Sequence, residues 1–502
     1  MKKKLMTLAA ILLTATLFFA VCGCSDSSWY YDYTDADQEF NSKLFYQNDR
    51  SLSGADPYIL VADGYYYLYI TGNTYIPAYR STNLTDWQEL GPVFTPARDA
   101  WSVHNLWAPE VVAKDGKYYM YYSGRNAYTG KMGIGVAVAD NPAGPFAEID
   151  TTAEGGSIDR TVMPFDFGFT MIDPNVFIDE DGKIYMYFSK DQVDQISKIC
   201  VAELDEDMVT VKEGTLREDI IEPEQQWENP DSLPRWNEAP EMMKHNGKYY
   251  LMYSANYYQS RYYSVGVAVS DSPVEGFEKV AYNPILAVDS EWEFTSGTGH
   301  NCWFWSIDGK ELFVAYHSHS DTVDGGTSRV INFDRALFDG ERLVINGPTT
   351  SPQPLPSGAS EYTNLASQAK ITVNGQETAQ LSDNIINFLW SESKDSELVL
   401  NKKAKIVLTF EKEVEVTAVM ICDSADYALC VDDVEKIDLG DRTITDLKMS
   451  PSMRYVDEYD YEVKIPGSAF IAEFSPVRTS EITITISEEG EFALNEIVIL
   501  GK

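Results

Sequence analysis

Three acidic residues sit in short peptides that resemble one another: Asp56 in Ala55-Asp56-Pro57, Asp173 in Ile172-Asp173-Pro174-Asn175, and Glu238 in Asn237-Glu238-Ala239-Pro240-Glu241. Gathered in one hollow they would be costly unless used, because like charges at close range resist joint ionisation. The chemistry that wants such a set is glycoside hydrolysis. One carboxyl stays protonated to release the leaving oxygen, while another stays ionised to activate water. Each acid also has a plainer use. Asp-Pro opens turns, and Glu238 alone could cap a strand or pair with Arg235. What favours catalysis is that the three share a register across repeats.

Those repeats are the elements that must position the acids. Asp115-Gly-Lys-Tyr-Tyr-Met-Tyr-Tyr-Ser-Gly124 has relatives beginning at Gly64, Gly182, Gly247 and Gly309, each a turn pair and a Gly before an aromatic run. The other runs end in Ser or Thr, the last in His317-Ser318. This is a half-buried strand entered through a tight hairpin. Successive glycines are 52, 66, 65 and 62 residues apart. Periods of that size built only from strands predict propeller blades. Pro57, Pro109, Pro174 and Pro240 lie seven or eight residues before their glycines, and Gly297-Thr-Gly-His300 fills that zone in the fifth unit. A first strand running outward from such a start places the peptides near a common axis. The segments from Ile134 to Phe146 and from Val265 to Phe277 echo each other as a further repeat.

The predicted architecture is all-β: a five-bladed β-propeller over residues 45–345, a Pro-rich linker over 346–361, and a C-terminal antiparallel, jelly-roll-like β-sandwich over 362–502. A net charge of -39 argues against a nucleic-acid partner and reads first as solubility. The 32 Tyr supply strand propensity and flat faces on which a sugar ring can stack. Residues 1–24 read as a lipoprotein signal: Met-Lys-Lys-Lys, an apolar run, then Val21-Cys22-Gly23-Cys24. Cys24 is the expected lipidated residue, and residues 25–44 a tether. The expectation is an exported monomer, held at the bacterial envelope only through lipid. Cys200, Cys302, Cys422 and Cys430 show no metal-type spacing. Cys422 and Cys430 could pair or stand as free thiols.

Ala55-Asp56-Pro57, Leu106-Trp107-Ala108-Pro109-Glu110, Ile172-Asp173-Pro174-Asn175, Asn237-Glu238-Ala239-Pro240 and Thr298-Gly299-His300-Asn301 resemble, in order, the motifs of glycoside hydrolase family 43. So do Arg80-Ser-Thr-Asn-Leu-Thr-Asp-Trp87 and Asn141-Pro-Ala-Gly-Pro-Phe146. The resemblance implies an inverting enzyme on arabinose-, xylose- or galactofuranose-containing glycans. By position it makes Asp56 the general base, Glu238 the general acid and Asp173 the residue that orients the acid and tunes it. Inversion calls for base and acid roughly 6.5–9.5 Å apart. The commoner Glu-Gly-Pro is departed from at Ala239. His300 matches a histidine that supports a calcium or sodium ion, usually through water; otherwise it is an axial hydrogen-bonded histidine, and no cofactor is required. Arg329 resembles a sugar-binding arginine, with a surface ion pair as its alternative. Trp107, His104 and Trp303 could form a stacking wall, and strand packing is the rival use of Trp303. The long Leu216–Trp236 loop is expected to close one end of an exo-acting pocket. Residues from Asn364 onward resemble the opening of discoidin-like sandwich modules, which implies a galactose-binding module or a structural buttress. Rival readings of the propeller are a non-catalytic glycan-capturing surface protein and a retaining fructan hydrolase.

Overall fold

The computed structural model describes residues 30–31, 43–48, 51–149, 162–193, 195–228, 234–288, 295–322, 325–387, 396–445, 447–454 and 462–502. The expected lipidation residue Cys24 and most of the expected tether lie outside these residues.

Five four-stranded units follow one another along the chain. Blade one is Tyr58–Ala62, Tyr65–Tyr69, Ile76–Ser81 and Gln88–Phe94. Blade two is Trp107–Lys114, Lys117–Arg125, Met132–Ala139 and Ala147–Glu148. Blade three is Met171–Ile178, Ile184–Val193, Ile196–Leu204 and Arg217–Ile221. Blade four is Arg235–His245, Lys248–Ala255, Ser264–Ser270 and Glu278–Lys279. Blade five is Gly299–Trp305, Leu312–His319, Arg329–Asp339 and Arg342–Asn346. Within each blade, neighbours in sequence pair antiparallel. The expected Leu216–Trp236 loop is therefore corrected: it carries the outer strand of blade three, because Ile221 and Arg217 pair with Ile199 and Val201.

The first two strands of a blade meet through the glycines seen in sequence. Asp63-Gly64, Asp115-Gly116 and Asn246-Gly247 hold both residues at positive φ, as a type I′ hairpin demands. Strand residues then alternate between two interfaces. Met120 and Tyr122 pack towards blade one with Tyr67 and Tyr69, whereas Tyr121 packs towards blade three with Met186 and Phe188. Blade three sends Tyr187 and blade four sends Tyr253 into the next cluster. Met252 and Tyr316 share the fourth. Phe304, Phe313 and Phe333 of blade five meet Ile59, Tyr66 and Leu68 of blade one in the fifth. Five clusters between five blades close a ring. Burial on both faces explains why these strands are continuously apolar instead of alternating; a fully buried large side chain contributes about 1.5–3 kcal/mol.

Tyr is used here for its hydroxyl as well as its ring. Tyr69, Tyr121 and Tyr187 hold equivalent places and donate to carbonyls of the following blade, at Pro142, Met208 and Pro273, each at 2.6 Å. Two of those carbonyls belong to the echoed Asn141–Phe146 and Asp271–Phe277 segments.

The ring is also tied by main chain. Gly54 donates to the Arg329 carbonyl at 3.0 Å and Ile331 to the Leu52 carbonyl at 2.8 Å, so the segment before blade one lies against the third strand of blade five. Phe45–Tyr46 pairs with Gln353–Pro354.

The C-terminal region is a separate all-β layer around Ile406, Leu408, Ile421, Ile484 and Ile497. Its long strands Leu398–Asp423 and Glu462–Gly501 run in opposite directions, Leu398 facing Leu494 and Thr409 facing Glu481. Leu44 and Phe45 pack against Met420, Val498 and Leu500 of this region, while Tyr46 belongs to the propeller cluster. The Asn346 side chain joins the Asn384 carbonyl and the Ile386 amide across the same boundary. A cavity of about 370 Å³ lies along it, between Tyr282, Asp339 and Arg342 and the segment Gln380–Asn387, and none of the three acids lines it. Cys200, Cys302 and Cys422 are buried thiols, and Cys422 is not bridged to Cys430.

Candidate active site

The axial end of each blade is built from one backbone device. In blades two to five the first strand carries an extra residue where pairing skips, between Trp107 and Glu110, Ile172 and Asn175, Glu238 and Glu241, and Gly299 and Cys302. Inside each skip one residue adopts left-handed φ: Ala108 at 45°, Asp173 at 55°, Ala239 at 52° and His300 at 52°. Asp56, at 53°, is their partner in blade one. A left-handed non-glycine residue costs about 1–2 kcal/mol, and bulges of this kind re-aim side chains beside functional sites. This corrects the register read from sequence. Asp56, Asp173 and His300 are equivalent, whereas Glu238 stands one residue earlier, in the place of Trp107. The bulge brings both positions into the central site, so the acid does not need the register of the other two.

The strain is held by a hydrogen-bond ring. The amide of each left-handed residue donates to the side chain that ends the second strand of the blade before it. Ala108 donates to Thr71 at 2.8 Å, Asp173 to Ser123 at 2.9 Å, Ala239 to Ser189 at 3.2 Å and His300 to Ser254 at 2.7 Å. Asp56 closes the circle by donating to His317 Nδ1 at 3.2 Å. The repeated terminal Ser or Thr of the aromatic strands is thus the acceptor that sets the next blade's axial residue.

Asp56 is buried among opposite and neutral partners. Its Oδ1 lies 2.9 Å from Arg329 Nη1 and 3.4 Å from His300 Nδ1, and its Oδ2 accepts Thr71 Oγ1 at 2.5 Å. Burial works against its charge, but the Arg329 guanidinium, followed by His300, outweighs it and holds the carboxyl well below the ordinary range. His317 Nδ1 is also 3.3 Å from Oδ1. Because that nitrogen accepts the Asp56 amide proton, the imidazole is neutral and carries its proton on Nε2. Burial first, then the Arg329 charge, pushes its pKa down to about 3.

Asp173 and Glu238 meet across blades three and four. Asp173 Oδ2 accepts the Ala239 amide at 3.2 Å and Ser189 Oγ at 3.4 Å. Glu238 Oε1 accepts the Tyr263 hydroxyl at 2.8 Å. Burial raises the Tyr263 phenol well above its ordinary value; the charges of Glu238, Asp173 and Asp56 add to this, so all three acids act on one buried hydroxyl. Beside the acid, Asn237 is fixed by Glu228 at 3.0 Å and by Lys279 at 2.8 Å, and these two are themselves ion-paired.

Beneath this floor lies a second polar layer, two residues further along each strand. Asn175 Nδ2 donates to Glu110 Oε2 at 2.9 Å and to Glu241 Oε2 at 2.7 Å. The amides of Val176, Met242 and Ile59 reach Glu110, Asn175 and Cys302 of the adjoining blade. Both glutamates are buried and face no basic partner in these bonds. Burial raises Glu110 to about 8, and burial with the Glu110 charge raises Glu241.

Trp107 is half-buried at the start of blade two, and His104 is exposed just before it. Trp303 is a correction: it packs in the core between blades four and five, because three residues past His300 the strand has turned that side chain into the interface. Arg329 is neither a free surface cation nor unoccupied, since Asp56 holds it. His300 is engaged with Asp56, and among the described residues no three His, Cys, Asp or Glu side chains gather as a metal cage. Sequence reading missed a wall in which Trp236 stacks on Tyr258 at 6.2 Å, with Arg329 over the other ring at 5.1 Å. The Trp236 Nε1 and Arg329 Nε protons have no acceptor among the described residues.

The sequence profile of Glycosyl hydrolases family 43 matches residues 50–338. A beta-D-galactofuranosidase of Aspergillus niger is 28% identical over 312 residues, covering 58% of this chain and 82% of that protein. A beta-xylosidase of Xylanibacter ruminicola is 30% identical over 275 residues, covering 47% of this chain and 80% of that protein. The crystal structure of a thermostable family-43 glycoside hydrolase aligns with a TM-score of 0.57 at 38% identity, covering 62% of this chain and 99% of that one.

Proposed function

This chain belongs to glycosyl hydrolase family 43, and from that premise we propose that it cleaves arabinofuranosyl, xylosyl or related bonds by inversion, with Asp56 as base and Glu238 as acid. It is a glycoside hydrolase acting on polysaccharide or its fragments. The observation that carries the assignment of roles is the contrast between two buried carboxyls. Asp56 is clamped ionised by Arg329, which suits it to take a proton from water. Glu238 accepts the Tyr263 hydroxyl and has the Asp173 carboxylate across the Ala239 amide, a like charge that suits it to hold and deliver a proton. Asp173 orients the acid through that amide.

The reaction then balances as a single displacement. Water adds to the anomeric carbon as Asp56 takes its proton, the glycosidic bond breaks, and Glu238 protonates the departing oxygen. The half-buried Trp107 offers a face to the sugar ring. Exo action, glycan binding by the C-terminal sandwich, and monomeric tethering at the envelope through Cys24 complete the reading; these rest on the sequence.

The test is a panel of nitrophenyl α-L-arabinofuranoside, β-D-xyloside and β-D-galactofuranoside beside arabinan and xylan, with NMR of the first-formed anomer. Turnover of at least one glycoside with inverted product is expected, together with its loss in Glu238→Gln. Polymer binding with equal inactivity of wild type and variant would replace the enzyme by a glycan-capturing propeller. A retained anomer would remove the assignment of Asp56 as base.

A further inference from the structure

Tyr263 is fully buried, and its hydroxyl proton goes to one oxygen of the acid, Glu238 Oε1, at 2.8 Å. The ring is fixed on two sides. One face stacks on His317, with centroids 5.6 Å apart and planes 11° from parallel. On another side it lies against Gly299, where any added Cβ would collide with the ring. Its amide is tied to the Ser260 carbonyl at 3.0 Å. His317 in turn accepts the amide of Asp56. One rigid path of four residues therefore joins acid to base: Glu238, Tyr263, His317, Asp56.

We propose that Tyr263 is a positioning residue that selects which oxygen of Glu238 carries the catalytic proton and stabilises the carboxylate left when that proton departs. The inference rests on Glu238 being the acid. A carboxyl group accepts best at its carbonyl oxygen, so the phenol makes Oε1 the carbonyl and leaves Oε2 to bear the hydrogen. When the Oε2–H bond breaks and its proton passes to the leaving oxygen, the electron pair stays on the carboxylate. The bond from Tyr263 then becomes charge-assisted, and so stronger than it was to the neutral acid. The titratable groups around this pair are Asp173 across the Ala239 amide, Asp56 with Arg329 and His300 upon it, and the neutral His317 behind the ring. The bond from Tyr263 to Glu238 is held against rotation, since the ring is wedged between His317 and Gly299.

The experiment is Tyr263→Phe, with Glu238→Gln in parallel, on two glycosides of whichever sugar is turned over. One carries dinitrophenol, a leaving group that needs no acid; the other carries an alkyl alcohol, which does. For Tyr263→Phe, kcat/KM on the alkyl glycoside should fall about tenfold or more, as expected for losing a hydrogen bond to a charged group, while the dinitrophenyl glycoside is little affected. The alkaline limb of the pH profile should move upward, because the ionised acid has lost its donor. Fluorotyrosine at position 263 keeps the shape and strengthens the donor, so it should move the same limb downward. Equal loss on both substrates with an unmoved limb would reduce Tyr263 to packing and overturn the proposal, provided Glu238→Gln shows the leaving-group dependence. If Glu238→Gln shows none, the assignment of the acid falls, and this proposal with it.

Discussion

Replacing Arg329 by Met removes the one full positive charge on Asp56 while keeping a side chain of similar length. Arg329 Nη1 is 2.9 Å from Oδ1, and two unit charges about 4 Å apart attract by about 4 kcal/mol at the effective dielectric of a partly buried protein site. The Thr71 hydroxyl at 2.5 Å and His300 at 3.4 Å remain in the variant and recover part of it. We therefore expect the Asp56 carboxyl to rise from its depressed position. The base works only when ionised, so the acidic limb of kcat/KM reports it, and this limb should move up towards neutral pH. The assay is a pH series with a nitrophenyl glycoside whose leaving group needs no acid, so that only the base is read. A depressed carboxyl also adds stability above its unfolded pKa that is lost as pH falls through the folded value. The variant should therefore show a smaller loss of Tm on acidification. An acidic limb displaced by less than about 0.3 unit would refute the claim that Arg329 sets the charge of the base.

Two further outcomes test the scaffold. Ser254→Ala strands the buried His300 amide, whose acceptor lies at 2.7 Å; at about 1–3 kcal/mol for an unsatisfied buried donor, Tm should fall by about 2–6 °C in calorimetry, and an unchanged Tm would show that the ring of hydroxyls does not restrain the axial strain. Glu110 has its pKa raised to about 8, chiefly by burial, so its proton is held more tightly folded than unfolded and stability should decline as pH rises from about 4.5 towards 8; Glu110→Gln should flatten that decline, and an equal slope in both proteins would place the charge elsewhere.

The sequence carried the ring because each blade repeats a turn whose chemistry is local. Asp115-Gly116 and Asn246-Gly247 can do little else than form a type I′ hairpin, and the strands after them bury both faces. The acids were legible for the same reason, since Pro57, Pro174 and Pro240 mark equivalent backbone. What the string of letters hides is the extra residue in each inner strand. With the same bulge in both strands, Glu238 falls one place earlier than Asp173, as its extra residue before Pro240 records. Tyr263 and His317 were missed because their roles arise from contacts across space: one is a Tyr among many, the other a histidine in a position where four blades use a hydroxyl. Trp303 misled because a tryptophan beside a floor motif looks the same whether strand twist turns it to the hollow or to the neighbouring blade. Ala239 is explained only by the structure, since its left-handed backbone suits glycine, and the amide it offers to Asp173 and Ser189 is what retains it.

The arginine that ionises the base lies 273 residues downstream of it, and Leu52 and Gly54, just ahead of that base, are bonded to the same late strand. With His317 also taking the Asp56 amide, a chain lacking its fifth blade would leave this aspartate without its cation and without the anchor of its backbone, so the two ends of the propeller sequence are coupled through one carboxylate.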